Sequence, residues 1–141
     1  LWSGGLPGSD PERLYLDPAS GTDEFGTLRT TTYNDFPRLR WIGAAGGETP
    51  LFSPTNIGSW SCIEVHMKLN QADASDGVFE YWIDGHLEAQ RTGLNWIGAY
   101  QDYGINAVYL EQYWTSVPFT KVQQRYWDNF VVSTARIGCP R

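Results

Sequence analysis

A chain of 141 residues is the length of one domain, and 41% hydrophobic against 18% charged residues supplies enough apolar material for a packed core. A net charge of −6 argues against nucleic acid as a partner, because phosphate binding needs clustered Lys and Arg, and argues against insertion at an anionic membrane surface. Fifteen Gly and eight Pro, with seven Trp, eight Tyr and six Phe and no Ala/Leu/Glu/Lys-rich tract, favour strands and turns over helices.

In chain order, Leu1–Pro11 reads as a loop, and the short run Arg13–Leu16 as a strand. Asp17–Gly26 is an acidic, turn-rich loop. Its Asp17, Asp23 and Glu24 are candidate calcium ligands, since hard cations want clustered oxygens, although their spacing matches no familiar calcium loop and a solvated loop is the simpler reading. Thr27–Tyr33 and Arg38–Ile42 carry the β-branched and aromatic content of strands, and Gly43–Ser59 is a further Gly/Pro/Thr loop. No apolar run approaches the roughly 20 residues that cross a bilayer. The chain starts at Leu1 without a charged-then-apolar leader, which reads as a processed or excised polypeptide.

The stretch Trp60–Asp84 has a period of two. In its first half Ile63, Val65, Met67 and Leu69 share one face while Cys62, Glu64, His66 and Lys68 share the other. In its second half Phe79, Tyr81 and Ile83 alternate with Glu80, Trp82 and Asp84. The sequence therefore predicts two antiparallel strands, each with an oily face and a face of ionisable groups, and a register that sets Lys68 opposite Glu80. Asp84-Gly85 is the strongest turn signal in the chain. A three-residue turn with Gly85 in a bulge keeps the oily face continuous, pairing Tyr81 with Leu87 and Phe79 with Ala89 and placing His86 beside Trp82.

Thr92–Gly104 is a long loop carrying Trp96, Tyr100 and Tyr103. Ile105–Trp114 is a strand on which Val108 and Leu110 alternate with Tyr109, Glu111 and Tyr113. Parity places Trp114 in the core and Trp82 and Tyr109 outside it. Gln123–Ser133 is a closing strand buried on both faces, within which Asp128-Asn129 ties down backbone. Short strands between Gly/Pro turns imply a sandwich or jelly roll. The two cysteines, Cys62 and Cys139, either form one bridge across a long loop or remain as two buried thiols; the other signals of an extracellular protein favour the bridge.

The blocks W-S-C-I-E-V-H-M-K-L-N, D-G-V-F-E-Y-W-I-D-G, I-N-A-V-Y-L-E-Q-Y-W and R-Y-W-D-N-F-V-V-S-T-A-R-I-G-C, spanning roughly Gly58 to Cys139, resemble the C-terminal half of polysaccharide-lyase-like proteins of the concanavalin A-like lectin/glucanase superfamily. The resemblance implies an all-β jelly-roll sandwich of two antiparallel sheets with a glycan lying across the concave one. It is also consistent with the Cys62–Cys139 pairing. Two departures stand out. Only about a dozen residues precede Arg13, where the family carries further strands, so the sheet edge is expected to be completed by a second copy or another chain. Where the alginate-lyase branch has Gln-Ile-His, this chain has Glu64-Val65-His66, which removes a neutral donor for a substrate carboxylate, and that branch's Tyr-x-Lys-x-Gly-x-Tyr strand is absent.

Three chemistries fit the polar residues. A lectin needs aromatic platforms and hydrogen-bonding groups, for which the candidates are Glu64, His66, Lys68, Glu80, Trp82, Tyr109, Glu111, Tyr113 and Arg125, with Asn106 and Trp114 nearby in sequence. A lyase needs a base, an acid and a group that neutralises a carboxylate: His66, Tyr109 or Tyr113, and Arg125 or Lys68. A glycosidase needs two close carboxyls, for which Glu64, Glu80 and Glu111 are available, but the superfamily's Glu-x-Asp-x-x-Glu motif is missing. The expectation from sequence is an extracellular carbohydrate-binding domain without a cofactor. Lyase action and a structural assembly subunit are the alternatives.

Overall fold

The computed structural model describes residues 2–3, 9–28, 38–41, 45–102, 104–105, 108 and 124–139. Among these the regular structure is antiparallel strand with little else beyond short 3-10 turns such as Pro54–Asn56, so the described part of the chain is all-β. The strands are β1 (Trp2–Ser3), β2 (Tyr15–Asp17), β3 (Ala19–Gly21), β4 (Leu39–Trp41), β5 (Ala45–Gly46), β6 (Ile63–Lys68), β7 (Gly77–Ile83) and β8 (His86–Leu94). They form a three-stranded sheet β1-β2-β5, a ribbon β3-β4 and a three-stranded sheet β6-β7-β8. Three expected loops contain short strands: Trp2–Ser3 pairs with Leu16 and Asp17, Ala19–Gly21 pairs with β4, and Ala45–Gly46 pairs with β2. Pieces of two or three residues carry no period for sequence reading to detect. Most of the expected strands Thr27–Tyr33 and Ile105–Trp114 lies outside the described residues.

The long hairpin sheet is built as its period dictates. β7 lies between β6 and β8 and buries Phe79, Tyr81 and Ile83 almost completely against Leu14, Leu16, Ala45, Leu94, Trp96 and Ile97. Tyr81 donates its buried hydroxyl to the Leu14 carbonyl at 2.9 Å, joining the hairpin sheet to the residue before β2. Burial, with Glu88 and Tyr15 adding to it, pushes the Tyr81 hydroxyl up to about 12, so it remains a neutral donor. On β6 the apolar face is less covered: Met67 packs on the core, while Ile63 and Val65 are exposed at the sheet's outer strand.

The registers differ from expectation in two places. The turn is a two-residue one, Ile83 facing His86, with Asp84 and Gly85 at φ of 50° and 86°. Both values are positive, as the hairpin turn that matches strand twist requires. Leu87, not His86, therefore faces Trp82, and Ala89, not Leu87, faces Tyr81. The extra residue sits instead at Glu88, in a bulge opposite Tyr81/Trp82, and this restores the apolar face one step later. A second shift lies between Gly77 and Phe79, where Gly93 adopts a φ of 71°. On the other side of β7, His66 faces Glu80 and Lys68 faces Val78, so the expected Lys68–Glu80 pair is replaced by His66–Glu80. The connection between the paired residues is two residues shorter than a Lys68–Glu80 pair would need, running over 69–77, and Lys68 turns to Asp76, 3.1 Å away.

The expected closing strand Gln123–Ser133 is not a strand over its described residues. Residues 124–133 carry no ladder, and Tyr126, Phe130 and Val132 are exposed. Burial on both faces needs ladder neighbours and a layer on each side, and no described strand pairs with this run.

A buried amide fixes the far end of the sheet. Asn70, 5% exposed, accepts from the backbone N–H groups of Trp96 and Ile97 at 2.6 and 3.0 Å and donates to the Gln71 carbonyl at 2.8 Å. Asn70→Ala leaves two buried donors unsatisfied and is expected to cost about 2–4 kcal/mol in a urea denaturation series. A loss under ~0.5 kcal/mol would show that this amide is not what holds the Trp96 loop to the hairpin.

Candidate functional site

The face of the hairpin sheet opposite the core carries the ionisable residues. β6 contributes Glu64, His66 and Lys68; β7 contributes Glu80 and Trp82; β8 contributes Gln90, which the Glu88 bulge sets opposite Glu80. At its centre, His66 Nδ1 lies 2.9 Å from Glu80 Oε2, and Gln90 Nε2 donates to Glu80 Oε1. The His66 and Gln90 hydrogen bonds, in that order, outweigh desolvation and hold the Glu80 carboxyl below the usual carboxylate range. With a carboxylate as acceptor, Nδ1 carries the proton and Nε2 is the ring nitrogen left for another partner. The His66 side chain is half exposed, so this carboxylate–imidazole–amide network opens to solvent.

The adjoining part of the same face is covered by the end of the chain. Cys62 and Cys139, 77 residues apart, are joined with their Cα atoms 5.8 Å apart. Two residues on from Cys62, the Glu64 carboxylate accepts from the Ile137 and Gly138 N–H groups at 2.7 and 3.2 Å and from Arg136 Nε at 3.4 Å. Desolvation pushes this carboxyl up, but the Ile137, Gly138 and Arg136 contacts together bring it below its ordinary value. The Arg136 guanidinium lies 4.5 Å from the Trp82 ring centroid, a cation–π contact, and Trp82 is 8% exposed. Sequence parity places Trp82 outside the core, and the structure corrects this in part: the ring does not join the cluster around Phe79, Tyr81 and Ile83, yet it is buried, with Arg136 lying over it. Glu64 and Trp82 thus serve first to hold the 136–139 segment.

The remaining candidates are distributed. Lys68 Nζ donates to the Asp76 carboxylate and carbonyl at 3.1 and 3.2 Å, an exposed pair. The Arg125 guanidinium sits 5.0 Å from the ring centroid of Phe52. Tyr109, Glu111 and Tyr113, like Asn106 and Trp114, lie outside the described residues. Of the calcium candidates, Asp23 accepts from the Phe25 and Thr27 N–H groups within its own turn, and Glu24 is exposed. Asp17 Oδ1 is buried without a hydrogen-bond partner among the described residues. No group of three or more metal-ligating side chains forms among those residues.

Two participants were missed in the sequence, Gln90 and Arg136. Gln90 depends on the bulge, which no residue pattern announces. Arg136 was legible: once Cys62 and Cys139 are bridged, a residue three before Cys139 must pass close to one two after Cys62, and the two are Arg and Glu.

No family model, curated protein or solved structure matches the chain. No described helix is long and apolar enough to cross a membrane, and the cysteine bridge is of a kind that persists in oxidising compartments.

The lowered Glu64 carboxyl gives a signed pH dependence. Its contribution is present above the ordinary value of 4.5 and is lost as pH falls from there through the lower folded value. Glu64→Gln is therefore expected to be less stable than the parent at neutral pH by about 1–2 kcal/mol. The two melting temperatures should converge as pH drops below 4.5, whereas a constant gap would place the effect in packing rather than charge.

Proposed function

We propose that this chain is an extracellular carbohydrate-binding domain of the concanavalin A-like jelly-roll class, gripping a glycan on the polar face of the hairpin sheet. The observation that carries the reading is the His66–Glu80–Gln90 network, held in place on one sheet face yet open to solvent. Sugar hydroxyls are donors and acceptors at once. A carboxylate flanked by an imidazole and an amide offers both kinds of partner within one sugar's reach. Lys68 and Asp76 extend the polar surface along the same side. The resemblance of the Gly58–Cys139 blocks to polysaccharide-lyase-like proteins agrees with a glycan as ligand. Trp82 enters the site as a stacking platform only if Arg136 leaves its ring.

The same network supports lyase action as a second reading. Glu80 orients His66 through Nδ1 and leaves Nε2 to take a proton, the arrangement that makes imidazole a general base. One experiment separates the two: a glycan-array screen with a parallel assay for the unsaturated product of β-elimination. The expected result is binding, weakened about tenfold (about 1.4 kcal/mol) by Glu80→Gln, with no product. Product that vanishes in His66→Ala while binding persists makes the protein a lyase. Absence of binding, or binding indifferent to both substitutions, removes this face as the site.

A structural role, as an assembly subunit, is favoured by a separate observation. Tyr126, Trp127, Phe130, Val131 and Val132 are all exposed within seven residues of sequence, and Ile63 and Val65 are exposed on β6. Soluble proteins seldom leave such a contiguous apolar surface bare. On this reading sedimentation at micromolar concentration shows a dimer or larger species, and Phe130→Ser with Val132→Ser returns it to monomer. A parent protein that sediments as a monomer excludes self-assembly.

A further inference from the structure

Away from the polar face, a cleft of about 250 Å³ opens between β4 and the end of β8. It is lined by Arg40, Trp41, Ser75, Gly93, Leu94 and Asn95. We infer that this cleft is a second, separate binding site, and that it takes a single carboxylate-bearing sugar ring. The proposal shares the ligand class of the reading above but none of its residues.

Four observations carry it. First, Arg40 is exposed and has no carboxylate or hydrogen-bond partner among the described residues, in a chain of net charge −6. The other described basic side chains whose contacts are defined are occupied: Arg13 by Asp10, Lys68 by Asp76, Arg136 by Glu64, and Arg125 by the Phe52 ring. A guanidinium fork with no partner among the described residues matches a carboxylate in two parallel hydrogen bonds, which makes it selective for the planar anion. Second, Trp41 is 40% exposed beside it, an indole surface of the kind on which the C–H face of a sugar packs. Third, Asn95 Oδ1 accepts from the Gly98 N–H at 2.7 Å. That bond fixes the amide and leaves Nδ2 as a donor, with the Ser75 hydroxyl on the same wall. Fourth, the second register slip of β8 lies in this wall: Gly93, at a φ of 71°, sits where an extra residue enters between the Phe79–Arg91 and Gly77–Leu94 pairs. The volume is small beside the roughly 300–1,000 Å³ of sites for larger ligands, which suits one ring seated in the cleft.

Amide-resolved NMR titration of the whole chain with D-glucuronate, a sulfated glucose and glucose tests the proposal. D-glucuronate is expected to shift the Gly93 and Asn95 amides and the Trp41 indole N–H, with glucose at least about tenfold weaker. The planar fork predicts that the sulfated sugar falls between them. Arg40→Gln should reduce glucuronate to the level of glucose, and Arg13→Gln, which removes an arginine outside both sites, should leave it unchanged. Shifts centred on Glu80 and Gln90, equal response to glucose, or no response at all overturns the second site. The first of these outcomes would leave the polar-face reading standing, and loss of glycan binding in Glu80→Gln with Arg40→Gln silent would separate the two in the opposite direction.

Discussion

A two-residue turn at Asp84–Gly85 puts β8 out of step with the apolar face of β7, and the bulge at Glu88 absorbs the difference. Much of the structure depends on that extra residue. Beyond it, Ala89 returns to the core side opposite Tyr81, and Gln90 arrives opposite Glu80, where it completes the polar network. Glu88 itself, displaced from the ladder, accepts from the Glu48 and Thr49 N–H groups at 2.6 and 3.0 Å and from the Thr49 hydroxyl. Those bonds tie β8 to the residues after β5. Burial raises the Glu88 carboxyl, but the Thr49 and Glu48 donors outweigh it and hold the group low. One inserted residue thereby serves core, site and inter-sheet contact at once.

The second constraint is covalent. On the chain-entropy view a bridge closing a loop of this length contributes about 4–5 kcal/mol, a large share of a small domain's stability. Its local consequence matters as much. By bringing Cys139 to the edge strand β6, it delivers Arg136 to Glu64 and Trp82 at almost no further entropic cost. A carboxylate that would be an exposed charge on a sheet becomes an acceptor for two backbone N–H groups. An indole that would face water is covered by a guanidinium.

What could be read in the sequence, and what could not, divides along the same lines. The period of two over Trp60–Asp84 identified both strands and sorted their faces, because in β7 that alternation is what burial requires: Phe79, Tyr81 and Ile83 are inside. Parity also set Glu64, His66, Glu80 and Trp82 on one face, as the pairing of β6 with β7 has them. It failed at the registers, since a hairpin turn and a bulge can exchange the extra residue without altering the apolar pattern. It failed for β1, β3 and β5, whose two or three residues are fixed by long-range partners rather than by composition. It failed too for 124–133, where an apolar run was equated with burial. Composition states what a segment would gain from burial and not whether a neighbour is there to bury it.

The same distinction governs the site. A sheet face rich in Glu, His, Lys and Trp resembles an open binding surface as long as each side chain is considered alone. Taken with their partners, these residues separate into two groups. Glu64 and Trp82 spend their hydrogen bonds and ring surface on the chain's own end, so a ligand would have to displace Arg136 to reach them. Among the described residues, the side chains of His66, Glu80 and Gln90 are bonded only to one another, and His66 remains half exposed. Pre-organisation lowers the cost of binding when the ordering of the site has already been met in the folded protein. By that criterion the pre-organised polar part of this face is the centre of the sheet, across β6, β7 and β8, and the indole beside it is part of the structure that holds the face in shape.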